Sequence, residues 1–496
     1  MATAVEHSPG LVRHAVPLAA GSRRALFAWS ALALGIAFAV LATVRFGAFR
    51  PDTFMTLAVG REVAHNGIPT LERLTSAASG EAWVDQQWLA QWGFYRAWLL
   101  GGDVGAAVLA ALLTASAFGA LTAILLHRGA GARRALKWTV LAFAVALPDT
   151  GVRAQAFAYP LFIALIWLLL RDGEEDQSPF ALVAAIPLLL VWANLHGSIL
   201  VGVVIVAAYA TWQAARRLRS DPRVSLFYGA LALAALVSPL ATPYGLDTLS
   251  YYRSVLGNDA IRSFASEWQP AKPTSPAAVA FYVLVALVAF ILVRGLRRGT
   301  RPQGALVVAT AGLCLAGFYA MRWETWAAFL AVLLAADLLN AEDDGDKPSP
   351  RRIRRPLVVA TALLAAGMAV LLVQPTSRFM SKAPVGAMAA AHQYALEHPG
   401  ALILADDRSA DALLWKHPQL EGRIGYDARL EIYPQADVRA WGDFIRGNPT
   451  QDFLSPYDVL VAAETNRDLV RRLRTLPGWR VIYDDVDDGT VAVRGT

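Results

Sequence analysis

Residues 104–126 read VGAAVLAALLTASAFGALTAILL, 23 positions without a charge. At about 1.5 Å of rise per residue, a helix of that length covers the ~30 Å hydrocarbon core of a bilayer. Similar apolar runs recur at 25–44, 135–148, 156–170, 179–195, 198–214, 226–241, 277–293, 304–320, 325–340 and 356–374. Those at 135–148, 156–170 and 325–340 are short, so either neighbours tilt them or one pair is re-entrant. The pattern predicts an all-α polytopic membrane protein with about eleven transmembrane helices.

Composition leads to the same class. Of 496 residues, 56% are hydrophobic and 17% charged, where a soluble domain carries about 25% charged. A disordered or fibrous chain is excluded. The apolar runs are continuous rather than alternating, which argues against a membrane β-barrel. The single cysteine, Cys314, lies inside an apolar run and excludes an intrachain disulfide and a Cys-based metal site. The Ala- and Arg-rich composition points to a bacterial source.

Basic residues set the orientation. With the N-terminus inside, the inner segments carry 20 Lys and Arg beside the spans and the outer segments 10. The net charge of +6 therefore orients the chain and gives no reason to expect nucleic-acid binding. The predicted organisation is a cytoplasmic tail (1–24), a membrane domain (25–374) and an extracytoplasmic α/β domain (375–496), with the first span an anchor rather than a removed signal peptide. In the tail, short apolar runs at 401–405 and 457–462 read as buried strands, 467–476 as a helix, and 480–483 with 490–493 as a hairpin about Asp488-Gly489.

The first outer loop, 45–102, is long. Trp88, Trp92, Tyr95 and Leu99 recur at helical spacing within 84–100, which predicts an amphipathic helix in the membrane interface. Residues 53–65 read as a second short helix, ended by Asn66-Gly67. Polar and charged residues gather only at outer span ends: Asp52, Asp85, Arg153, Gln155, Asn194, His196, Tyr244, Arg262, Glu267, Arg322 and Glu324. The inner loops offer basic flanks and acidic spacers. Such asymmetry predicts a polar cavity opening on the outer face.

Each candidate also has a purely structural reading. Asp52 and Asp85 suit helix N-caps. His196 suits a hydrogen bond between helices. Arg153 and Arg322 suit snorkelling to the interface. Tyr244 belongs to a Pro243-Tyr244-Gly245 turn, and Glu267 and Glu324 suit pairing with Arg262 and Arg322. Glu72, between Thr70 and Arg73, reads as a solvated loop charge, and Asp484, Asp485, Asp487 and Asp488 as a solvated turn.

The order of the motifs resembles the GT-C class of membrane glycosyltransferases, within a large bacterial branch. The residues are Asp52-x-x-x-x-Leu57-x-x-Gly60, Gly67-Ile68-Pro69, Trp83-Val84-Asp85-x-x-Trp88-Leu89, Trp192-Ala193-Asn194-Leu195-His196-Gly197, Pro243-Tyr244-Gly245, Glu267-Trp268 and Tyr426-Asp427-x-Arg429-x-Glu431. The branch usually has His-Glu before the loop Trp, where this chain has Gln86-Gln87. The resemblance implies a polyprenyl-phosphate-linked sugar as donor. It also implies an extracytoplasmic glycan, lipid or protein acceptor and a first-loop carboxylate as general base.

On that reading Asp52 and Asp85 are the catalytic candidates. Arg153, Gln155, Asn194, His196, Tyr244, Arg262, Glu267 and Arg322 are the substrate-binding candidates, with Arg and His suited to a lipid phosphate. A divalent metal, if the reaction uses one, belongs at Asp52. The expected location is a bacterial plasma membrane, with the enzyme serving cell-envelope glycan synthesis. Two other functions fit the same features: a lipid or glycan transporter or flippase, and a non-catalytic assembly partner, the latter motivated by Gln86-Gln87. A transporter would ordinarily show internal repeats and mid-span charges. The sequence shows no repeat and almost no mid-span charge.

Overall fold

The computed structural model describes residues 48–49, 51–172, 178–340 and 383–495. The spans expected at 25–44 and 356–374, the tail 1–24 and the inner loop 341–355 lie outside these residues. Among the described residues, twelve α-helices of the membrane part follow in order: α1 (Pro51–Asn66), α2 (Trp88–His127), α3 (Ala132–Ala146), α4 (Ala158–Arg171), α5 (Ala185–Ala193), α6 (Ile199–Arg217), α7 (Pro222–Val237), α8 (Thr248–Leu256), α9 (Asp259–Phe264), α10 (Pro276–Arg297), α11 (Gly304–Tyr319) and α12 (Glu324–Asn340). The chain is a mostly helical membrane protein. Among the described residues six helical stretches are long and apolar enough to cross a bilayer: Trp88–His127, Ala154–Arg171, Ile199–Arg217, Pro222–Leu240, Pro276–Arg297 and Met321–Asn340. The runs expected at 179–195 and 304–320 form shorter apolar helices, Pro179–Ala193 and Gly304–Tyr319. The run at 135–148 forms the 15-residue α3.

The interfacial helix and the next span are one helical stretch broken at Gly101 and Gly102. Gly102 takes φ 59°, ψ −148°, a conformation that a side chain would make costly. The aromatic face does not all meet lipid. Trp92 and Leu99 are exposed, whereas Tyr95 is buried, and Trp98 meets Trp415 edge-on with ring centroids 4.8 Å apart. Helix α1 crosses this segment closely at Gly60, where a Cβ would come within 2.2 Å of the Gln91 carbonyl oxygen. Any larger residue there would push the two helices apart.

The C-terminal unit comprises α13 (Val385–Glu397), β1 (Ile403–Ala405), α14 (Asp407–Lys416), α15 (Gln435–Ile445), α16 (Gln451–Leu454), β2 (Val459–Ala463), α17 (Arg467–Leu473), β3 (Trp479–Asp485) and β4 (Gly489–Arg494). Its sheet runs β1-β2-β4-β3, with β1 and β2 parallel and the other pairs antiparallel. The mixed sheet and the hairpin agree with the strand pattern of the sequence. Inner strand β2 is buried throughout and β4 as far as Val493, so neither shows the buried–exposed alternation of a half-exposed strand.

This unit packs on the first loop. Thr75 bridges Ile424 in parallel, and Ile424 bridges Ile403 of β1, so the loop adds an edge to the C-terminal backbone network. Arg61 of α1 donates to the Leu414 and Trp415 carbonyls at 2.7 and 2.8 Å, ending α14 with a cation where the helix dipole favours one. The first loop and the C-terminal unit therefore lie on the same side of the molecule.

Candidate active site

Arg153 is the centre of the polar cluster. It precedes the short turn Ala154–Phe157, between α3 and α4. Its guanidinium lies 2.6 Å from Asp52, 3.2 Å from Glu267 and 3.7 Å from Asp149. Burial opposes its charge, but Asp52, Glu267 and Asp149 outweigh that cost and push the guanidinium above its ordinary value. Arg322 stands 3.8 Å from Glu267 and stacks over the Trp268 ring at 3.9 Å. Burial would raise the Glu267 carboxyl, yet Arg322 and Arg153 hold it below its ordinary value. Burial raises Asp149, with Arg153 opposing, while Thr325 donates to it at 2.6 Å.

Asp52 sits inside the first turn of α1, not at its N-cap. Its charge faces the positive end of the helix dipole and Arg153 together. Thr53 donates to the Val152 carbonyl at 2.8 Å, which ties the start of α1 to the segment bearing Arg153.

His196 carries a defined proton. The backbone N–H of Ser198 donates to Nδ1 at 3.1 Å, and Trp192 Nε1 donates to the Ser198 hydroxyl oxygen at 3.1 Å, which leaves that hydroxyl to donate to Nδ1 at 2.8 Å. Nδ1 is thus an acceptor, and the hydrogen is assigned to Nε2. Burial, then Arg322 and Arg153, lower the imidazole to about 3, so it is a neutral donor. Gly197 leaves room beside it, since a Cβ there would meet the Tyr251 hydroxyl at 3.1 Å.

Two cavities meet at this cluster. The smaller, about 200 Å³, is lined by Gln87, Gln91, Gln155, His196, Tyr251, Trp268, Arg429 and Glu431. The larger, about 610 Å³, is lined by Asp149, Glu324, Asp407, Arg408 and Arg446 with apolar Val145, Pro148, Ala277, Ala278 and Met321. Asp52, Arg153, Glu267 and Arg322 wall both.

Other expected site residues do not join this cluster. Asn194 is committed on all sides: its oxygen accepts from Trp88 Nε1 at 3.0 Å, and its nitrogen donates to the Leu190 and Ala241 carbonyls at 3.0 and 2.8 Å. Tyr244 donates to the Pro69 carbonyl at 2.7 Å. Arg262 lies 3.9 Å from Asp259, and Glu267 pairs with Arg153 and Arg322, not with Arg262 as the sequence suggests; Arg322 likewise meets Glu267 and not Glu324. Asn194, Tyr244 and Arg262 line neither cavity.

Asp85 does not cap α2, whose N-cap is Gln87. It is buried, accepts from the Gln87 N–H at 3.2 Å, and meets the Gln91 amide nitrogen at 2.7 Å in the amide orientation that satisfies both. Burial pushes its carboxyl up to about 7. Of the departing pair, Gln86 donates to the Ala193 carbonyl at 2.8 Å, and Gln87 faces the smaller cavity.

Glu72 corrects the sequence reading outright. It is buried rather than solvated, and it accepts from the Leu74 and Thr75 backbone N–H groups at 2.7 Å each. It takes a 2.8 Å bond from Arg429, which also binds Asp427 at 2.9 Å and stacks over Trp83 at 4.3 Å. This network holds the turn Leu430–Ile432 and so places Glu431, which burial raises to about 7. Asp149, Asp407 and Glu431 reach the site without having been assigned to it. Only Glu431 left a signal, as the last residue of the Tyr426–Glu431 motif. Among the described residues no group of three or more His, Cys, Asp or Glu side chains is placed to hold a metal ion.

No family model matches the sequence, and no curated protein does. Solved structures do match the fold. The oligosaccharyltransferase of Archaeoglobus fulgidus aligns with a TM-score of 0.53 at 12% identity, over 88% of this chain and 70% of that one. The arabinofuranosyltransferase AftD from Mycobacteria gives 0.52 at 17%, over 96% of this chain but 40% of that one. ArnT from Cupriavidus metallidurans, bound to undecaprenyl phosphate, gives 0.50 at 14%, over 95% and 98%. This chain has a GT-C-like fold. At these identities the GT-C likeness concerns the backbone arrangement and leaves each side chain's role to the chemistry of the site.

Proposed function

We propose that the protein is a bacterial plasma-membrane glycosyltransferase that moves a sugar from a polyprenyl-phosphate carrier to an extracytoplasmic glycan, lipid or protein. The observation that carries this reading is the Asp52–Arg153 pair at the junction of two cavities, inside a GT-C-like fold. In the reaction an acceptor hydroxyl attacks C1 of the sugar, the C1–O bond to phosphate breaks, and the hydroxyl proton passes to a base. Asp52 is that base. The leaving lipid phosphate takes its charge to Arg322 and to the Nε2–H of His196. Arg322 suits this role better than Arg153, because its ion pair with Glu267 is long at 3.8 Å whereas Arg153 is already held by Asp52 at 2.6 Å. A divalent ion, if required, would be held at Asp52.

The test is transfer of radiolabelled sugar from synthetic polyprenyl-phosphate donors by purified protein in detergent. Turnover with at least one donor is expected. No turnover with any donor, together with lipid or glycan movement in liposomes, would replace this reading with the transporter.

The reading also requires the C-terminal unit to be extracytoplasmic, with eleven spans in all, as the basic-residue bias implies. Because that unit packs on the first loop, both must be on one side. A membrane-impermeant label is expected to reach single cysteines introduced at Glu464 and at Gly80 in intact spheroplasts. Labelling that needs lysis would overturn the orientation.

A further inference from the structure

Resting on the glycosyl-transfer reading, we infer that the smaller cavity is a subsite for one sugar ring, read by Gln155 and Glu431, so that the donor is a carrier bearing a monosaccharide rather than an oligosaccharide.

The cavity measures about 200 Å³. A hexosyl or pentosyl group has about ten to twelve heavy atoms and at protein-like packing fills roughly 150–200 Å³, whereas two linked rings need about twice that. The space beyond the junction is not a continuation for a longer glycan on the same side, since Asp52, Arg153, Glu267 and Arg322 stand between the two cavities. Those four groups are where phosphate and the reacting carbon belong, which leaves the sugar on one side of them.

The lining has the chemistry of a polyol site. Gln155 is 8% exposed and faces the cavity. Among the described residues its amide makes no hydrogen bond, and it borders the cavity, where a ligand can reach it. A ligand hydroxyl, which both donates and accepts, satisfies either end of it. Glu431 presents a second planar acceptor; its own backbone N–H holds the carboxylate, which keeps lone pairs for a ligand hydroxyl. It lies two residues after Arg429, which is buried between Glu72 and Asp427. Trp268 and Tyr251 add aromatic wall against which the C–H side of a sugar can pack. A lipid chain would want none of these amides and carboxyls. The C-terminal unit therefore contributes to donor recognition from inside the site.

The experiment separates sugar from phosphate. Binding of bare polyprenyl phosphate and of the same lipid bearing one sugar is measured for the wild type, Glu431→Gln and Gln155→Ala. Transfer by the wild type is measured with monosaccharide-linked and oligosaccharide-linked carriers. Each variant is expected to bind the bare lipid as the wild type does and to lose about ten-fold or more in affinity for the sugar-bearing lipid. Wild-type transfer is expected from the monosaccharide carrier only. Equal weakening of both lipids, unchanged binding of both, or efficient transfer of an oligosaccharide would overturn the subsite. If the wild type transfers nothing, the glycosyl-transfer reading fails on its own. The subsite then stands or falls on whether the sugar-bearing lipid binds more tightly than the bare one.

Discussion

Asp52→Asn is expected to lower single-turnover sugar transfer by about 10²-fold or more while leaving the fold and carrier binding intact. The amide keeps the shape of the side chain in the first turn of α1, where Asp52 lies 2.6 Å from Arg153. It removes the negative charge and the ability to take a proton. Arg153 keeps Glu267 at 3.2 Å and Asp149 at 3.7 Å, so the cluster does not lose its cation. The measurement is pre-steady-state transfer by both proteins at saturating donor, with and without EDTA. A loss that added divalent ion partly relieves would make Asp52 a metal ligand instead. A variant with full activity would sink the mechanism, and the base would have to be sought at Asp85, Glu267 or Glu431.

The second large effect is on stability. Arg429→Met should cost about 3–5 kcal/mol, because it leaves the buried carboxyls of Glu72 and Asp427 facing each other without their shared cation. Methionine keeps much of the aliphatic volume over Trp83, so lost packing is a small part of the effect. The pH dependence has a definite sign. Burial raises the Asp427 carboxyl and Arg429 counters it. Without Arg429 the native state binds a proton that the unfolded chain, with a carboxyl near ~3.9, releases earlier. The variant's deficit therefore shrinks as pH falls toward 4 and grows as pH rises through the raised native value. Thermal unfolding from pH 4 to 8 would show this, with faster proteolysis around residues 71–77 and 422–431 as the loop and the C-terminal unit separate. A wild-type melting temperature at pH 8 would show that the triad is not what joins them.

Where local patterning governs, prediction and observation agree in kind: a mostly helical membrane protein, with six bilayer-length stretches among the described residues, and a small C-terminal mixed sheet. Uncharged runs such as 104–126 must become helices in a bilayer, since no other structure satisfies their backbone inside the segment. Buried strands at 403–405 and 459–463 announce themselves as apolar runs in a polar tail. Asp52, Gln155, His196, Glu267 and Arg322 were legible as polar residues at span ends, and all five line the smaller cavity with Arg153.

Pairing across the chain was not legible. Glu72 looks like any loop carboxylate until the first loop adds an edge to the C-terminal unit and closes it on Arg429, 357 residues away. Asn194 and Tyr244 sit in site-like motifs, yet their polar atoms bind Trp88 and the Pro69 carbonyl and hold the turns that frame the cavity. Glu431 and Asp407 come from the C-terminal unit, so no span-end pattern could locate them. By itself the sequence determined the helical membrane class, the strands and the clustering of polar residues at span ends, because hydropathy and charge act on each segment locally. The tertiary structure alone decided which carboxylate meets which guanidinium, because a buried ion is tolerated only where a distant partner arrives at hydrogen-bonding distance.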